Sequence, residues 1–208
     1  KLIISNIDTV KFQIFELDKL AHPTYKFYKI LKKISISKFE YEKLIKKLII
    51  KKKKIVIEPF DLESFDFCKK FRKKISVKIS VSDKNNDYYI KTALKYFDRV
   101  FISISGLEIS SVEKIFKKYK KSKKLIFTYG FQSFPTDPDK IRLEFINEIY
   151  KKGMQVCYAD HTNRDNILSG NNPYVFEEKD YKNIVNEIDC YHPNVIKNAF
   201  ESCIVYDN

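Results

Sequence analysis

The sequence predicts an α/β fold, a TIM-type (β/α) barrel that is incomplete or degenerate, and three observations lead there. Short apolar, β-prone runs recur along the 208 residues; amphipathic stretches separate them; and polar residues cluster just past the strand ends. Alternation of this kind implies parallel strands joined by right-handed helical crossovers.

The elements follow in order. Strands are expected near Val10–Phe15, Ile55–Phe60, Val77–Val81, Val100–Ile104, Leu125–Phe131 and Gln155–Ala159. Between them, Ser37–Lys52, Glu63–Lys73, Asp87–Phe97 and Ser110–Tyr119 carry apolar residues at helical spacing. Gly130 and Pro135 end the fifth strand and leave Gln132, Ser133 and Thr136 in a loop. A helix from about Asp139 to Lys151 follows, with Ile141, Leu143, Phe145, Ile146 and Ile149 as its apolar residues and Gly153 as its stop. From Asn163 to Pro173 the pattern dissolves into Asn, Gly and Pro, which reads as a loop. A helix at Asp180–Ile188 and a last strand at Cys203–Tyr206 complete the map.

Composition bounds the class. The chain is 44% hydrophobic and 15% aromatic, enough for a substantial core and unlike a disordered chain. One domain spanning residues 1–208 is expected, short for a closed barrel of typically ~250 residues. No apolar run nears the ~20 residues that cross a bilayer, and the start lacks signal-peptide architecture, so a cytoplasmic protein without membrane contact is expected. Cys68, Cys157, Cys190 and Cys203 show no metal-binding spacing. Free thiols in a reducing compartment are the expectation.

A net charge of +13 raises the question of nucleic acid. The distribution argues against it. Lysines gather as Lys32-Lys33, Lys46-Lys47, Lys51–Lys54, Lys69-Lys70, Lys73-Lys74 and Lys117–Lys124, mostly at helix ends, while Arg appears only at positions 72, 99, 142 and 164. Base recognition relies on the planar fork of Arg.

Five segments carry candidate chemistry: Val10-Lys11-Phe12-Gln13-Ile14-Phe15, Glu58-Pro59-Phe60-Asp61-Leu62-Glu63-Ser64, Val77-Lys78-Ile79-Ser80, Gly130-Phe131-Gln132-Ser133-Phe134-Pro135-Thr136 and Ala159-Asp160-His161-Thr162. Lys11 and Lys78 fall inside parallel strands, where an unpaired ammonium is costly to bury. They either face inward or point between sheet and helices and snorkel outward. Gln13 shares the face of Lys11, because strand side chains alternate.

In this order, these segments resemble the sialic acid (N-acetylneuraminate) synthase family, including its legionaminate and pseudaminate relatives, across about residues 9–165. The resemblance implies condensation of phosphoenolpyruvate with an N-acetylated amino sugar of the N-acetylmannosamine type, with water attack and phosphate release. It implies Lys78 and Asp83 as catalytic residues, and Lys11, Gln13, Gln132 and Ser133 as substrate ligands. A divalent metal, Mn or Mg, is implied at His161, with Asp160 orienting the ring, and a homodimer is an implied assembly. Asp83 has a second reading as a helix cap for the segment near Asp87. Gln132 and Ser133 also read as ordinary loop residues, and His161 as a structural histidine.

The departures are specific. The family's first strand, its last Glu-Lys-His strand and its antifreeze-like domain are not recognisable. Glu58 stands where the family has Thr, Val81 where it has Ser, and Phe134 where it has Tyr, changes expected to weaken the site. Two function classes follow: a nonulosonic acid synthase, or a catalytically degraded barrel acting as a binding or interaction protein.

Overall fold

The computed structural model describes residues 9–119, 122–131, 136–137 and 140–159. Its strands are β1 (Thr9–Ile14), β2 (Lys54–Pro59), β3 (Ser76–Ile79), β4 (Val100–Ser103), β5 (Leu125–Gly130) and β6 (Gln155–Ala159), in sheet order β1-β2-β3-β4-β5-β6. β1 pairs with β2, β2 with β3 and β5 with β6 in parallel. All six lie where the hydrophobic runs place them. Two compact units divide at Val100.

In the first unit, β1 alternates half-buried Thr9, Lys11 and Gln13 with buried Val10, Phe12 and Ile14. The apolar set faces the helices and the polar set the opposite side, as the two-residue period of a strand requires. α1 (Leu17–Leu20), α2 (Tyr28–Ile34) and α3 (Lys38–Ile50) lead to β2. α3 starts at a capping box, in which Ser37 accepts from the Glu40 amide and the Glu40 carboxylate accepts from the Ser37 amide. It buries Ile45 and Leu48 completely. α4 (Leu62–Lys69) and α5 (Asp87–Tyr96) begin at Asp61 and Asn86, each accepting an amide hydrogen bond from three residues on. Phe65, Tyr89 and Phe97 interlock, with Phe65 ring centroids 4.8 Å and 6.0 Å from the other two. The Val77 amide donates to the Arg99 carbonyl, on the approach to β4.

The second unit runs through β4, α6 (Ile109–Lys118), β5, α7 (Leu143–Lys151) and β6. The Ile104 amide donates to the Thr128 carbonyl. Every residue of β5 is buried, as expected of a strand covered on both faces. Gly130 pairs with Ala159, and a Cβ on Gly130 would lie 2.5 Å from the Ala159 carbonyl oxygen. The glycine that ends the strand motif is therefore demanded by backbone approach. Ser105 donates its hydroxyl to the Gly130 carbonyl, fixing the end of β5.

Several boundaries differ from expectation. β3 stops at Ile79 rather than Val81, because a short helical turn at Val81–Asp83 closes with the Asp83 amide donating to Ser80. α4 ends at Lys69 rather than Lys73, in turns whose amides reach back to Phe67, Cys68 and Lys69. α7 begins at Leu143 rather than Asp139; the Arg142 amide donates to the Tyr129 hydroxyl at 3.1 Å, which fixes the start. α1 and α2 are not anticipated, being short segments around Pro23 without a long apolar period.

Cys68 and Cys157 are buried thiols, and burial pushes the Cys68 thiol far up. Lysines occupy the last turns of α2, α3, α4, α6 and α7. There they complement the negative end of each helix. Among the described residues, no helix is long and apolar enough to cross a membrane. The expected loop at 163–173, helix at 180–188 and strand at 203–206 lie outside the described residues, as do Cys190 and Cys203.

Candidate active site

Register brings the first unit's polar residues together. Gln13 lies beside Glu58, and Lys11 two residues earlier on β1 lies beside Val56. Val56 pairs with Ser76 and Ile57 with Val77, so one residue further Glu58 reaches the level of Lys78. All four side chains fall on one face, toward the carboxyl ends of parallel strands. That end is where (β/α) folds place their ligands.

Glu58 is the centre of the cluster. Its Oε2 accepts from Lys11 Nζ at 2.9 Å and from Gln13 Nε2 at 3.3 Å, while Oε1 lies 3.7 Å from Lys78 Nζ. Side-chain exposure is 16% for Lys11, 6% for Glu58 and 11% for Lys78, so solvent screens these charges only weakly. Burial opposes ionisation of Glu58, but the two ammonium charges and the hydrogen bonds from Lys11 and Gln13 outweigh it and hold the carboxyl well below the usual range. At neutral pH it is an anion and a poor proton acceptor. Lys11, Lys78 and Glu58 bring two positive charges and one negative together.

This arrangement makes stability depend on acid. An unperturbed glutamate titrates near pH ~4.3, and the folded value is lowered to about 2. Because the folded value is the lower, the stabilisation is fully present above the unfolded value and disappears as pH falls toward the folded one. Stability measured by circular dichroism between about pH 4 and pH 2 is expected to fall more steeply in the wild type than in Glu58→Gln. Equal slopes would contradict the buried ion pairing.

Asp83 sits half-buried in the turn after β3, accepting from the Ser80 hydroxyl and the Asn86 side-chain amide, both at 3.3 Å. The cap of α5 is Asn86, and Asp83 braces that cap rather than serving as it. Gln132, Ser133 and His161 lie outside the described residues. The structure thus brings together Lys11, Gln13 and Lys78, and adds Glu58, which the sequence reading treats as a weakening change. One signal pointed to it: two lysines inside parallel strands require an acid on a neighbouring strand, and Glu58 is the acid within β2.

Asp61, Glu63 and Ser64 do different work. Asp61 accepts from the Glu16 amide at 2.7 Å, from the Ser64 amide at 2.8 Å and from the Ser64 hydroxyl at 2.8 Å. Burial works against its ionisation, but these hydrogen bonds hold the carboxyl below its ordinary value. Glu63 pairs with Lys19 of α1. These residues tie the loops after β1 and β2 together.

Parallel strand–helix units with charged side chains at the carboxyl ends define a scaffold of the (β/α)-barrel class. The chain belongs to the NeuB family, whose model matches residues 3–169. Among solved structures it is similar to the N-acetylneuraminic acid (sialic acid) synthetase of Leptospira borgpetersenii serovar Hardjo-bovis in complex with citrate, with a TM-score of 0.67 and 19% identity over 94% of this chain and 72% of that one. It is also similar to spore coat polysaccharide biosynthesis protein E of Chromobacterium violaceum, with a TM-score of 0.67 and 20% identity over 79% of this chain and 52% of the other. The spore coat polysaccharide biosynthesis protein spsE of Bacillus subtilis gives 0.58 and 18%, over 76% and 45%. The chain thus spans about half the length of the two spore coat proteins. No curated protein matches significantly.

The described residues contain no group of three or more His, Cys, Asp or Glu side chains placed to hold a metal.

Proposed function

We propose that the chain acts as a synthase of the nonulosonic acid type, condensing phosphoenolpyruvate with an N-acetylated amino sugar and releasing phosphate. The observation that carries this reading is the meeting of Lys11, Gln13 and Lys78 at the carboxyl ends of β1 and β3 in a NeuB-family chain. Two ammonium groups and an amide suit a carboxylate or phosphate, and in a partly dry site they also stabilise charge building on a departing phosphate. Lys78 and Asp83 are proposed as catalytic, with Gln132 and Ser133 as further ligands. A divalent metal, Mn or Mg, at His161 belongs to the same proposal, as do a cytoplasmic location and a homodimer.

A second reading has one observation in its favour. Glu58 already engages both lysines, as it would in a barrel that keeps its scaffold for binding and has lost catalysis. Phosphate release from phosphoenolpyruvate, with manganese and a panel of N-acetylated amino sugars, separates the two. Sugar-dependent release, lost in Lys78→Met and in His161→Ala, is the expected result. No release with any sugar would leave the binding-protein reading standing.

A further inference from the structure

We propose that Glu58 is an internal counter-anion that sets how strongly the Lys11–Lys78 pair accepts an external anion, holding the site in a low-affinity state for phosphate-bearing ligands. The inference rests on the reading of this cluster as the phosphoenolpyruvate site and deepens it. The geometry carries the argument. One carboxylate uses both oxygens, Oε2 at 2.9 Å from Lys11 and Oε1 at 3.7 Å from Lys78, to span two ammonium groups on different strands. A carboxylate or phosphate ligand would make the same bridging contacts. Gln13 adds the neutral donor that such a ligand would also use.

An incoming anion must therefore share the lysines with Glu58 while lying beside its charge. Solvent does little to relieve the repulsion, because Glu58 is 6% exposed and the lysines scarcely more. A carboxylate at this position also discriminates by charge. A doubly charged phosphate meets the Glu58 carboxylate beside the two ammonium groups, whereas with a neutral residue at position 58 it would meet one negative charge fewer. The penalty thus grows with the charge of the ligand.

The test compares wild type, Glu58→Gln and Glu58→Asp, with inorganic phosphate and phosphoenolpyruvate as probes at constant ionic strength. Binding is measured by calorimetry and by the anion-dependent rise in melting temperature. The glutamine keeps the shape and removes the charge; the aspartate keeps the charge and alters the packing. Glu58→Gln is expected to bind phosphate at least about tenfold more tightly than wild type, the ratio that ~1.4 kcal/mol represents. Glu58→Asp is expected to stay near wild type. Should Glu58→Gln be too unstable to purify without anion, its recovery in phosphate but not in chloride is the same result. Equal affinities in all three proteins, or weaker binding in Glu58→Gln, would overturn the inference while leaving the synthase reading intact wherever wild type still turns over. Tighter binding by Glu58→Gln without turnover by any variant would support the inference and count against the synthase. Absence of anion binding in every variant would overturn both.

Discussion

Glu58→Ala is expected to lower folding stability by about 3–5 kcal/mol, the range for breaking a buried ion pair from one side. The loss comes less from the missing attraction than from what remains. Lys11 and Lys78, 16% and 11% exposed, would face each other across the gap without the carboxylate that now lies between them. Glu58→Gln should cost less, because the amide oxygen can still accept a hydrogen bond. Replacing all three together, Lys11→Met with Glu58→Leu and Lys78→Met, should recover most of the stability lost in Glu58→Ala, since the two ammonium groups are then removed along with the carboxylate they share. Chemical denaturation of the four proteins checks this. A cost below about 1 kcal/mol for Glu58→Ala would mean that the cluster behaves as a surface ion pair.

The cluster also shows where sequence reading succeeds and where it stops. The six strands are visible because their apolar runs are strong and the turns between them are marked. The shared face of Lys11 and Gln13 follows from the two-residue period alone. Glu58 could not be weighed in the same way, because its meaning depends on which residues lie beside it, and that is register. Pairing of Gln13 with Glu58, and of Ile57 with Val77, converts a departure from the family pattern into the residue that both lysines meet. Asp83 shows the same limit, because its position after a lysine-bearing strand suggests chemistry, while its bonds to Ser80 and Asn86, which brace the turn before α5, are not announced by the local pattern. The short helices α1 and α2 escaped because a segment of four or seven residues carries too little periodicity to stand out. The start of α7 escaped for another reason: a tyrosine hydroxyl on β5 fixes it, and no local signal reports so distant a partner.

Asp61→Ala is the other change expected to be severe, at about 2.5–5 kcal/mol, combining a lost cap of ~1–2 with a lost charged hydrogen bond of ~1.5–3. Asp61 caps α4 through the Ser64 amide and, through Oδ2, also holds the Glu16 amide just after β1. Its removal would leave two backbone donors and the Ser64 hydroxyl without their present acceptor. The motif that carries part of the family resemblance is thus divided by role. Glu58 faces the lysines, while Asp61, Glu63 and Ser64 bind the loops after β1 and β2 to each other. The two roles give opposite signatures. Asp61→Ala should lower the melting temperature while phosphate affinity, measured well below that temperature, stays at the wild-type value. Changes at Glu58 should move the affinity itself. If Asp61→Ala altered phosphate affinity tenfold in a protein still fully folded, Asp61 would have to be counted with the ligand-facing residues. The loops after β1 and β2 would then owe their joining to the site rather than the site to their joining.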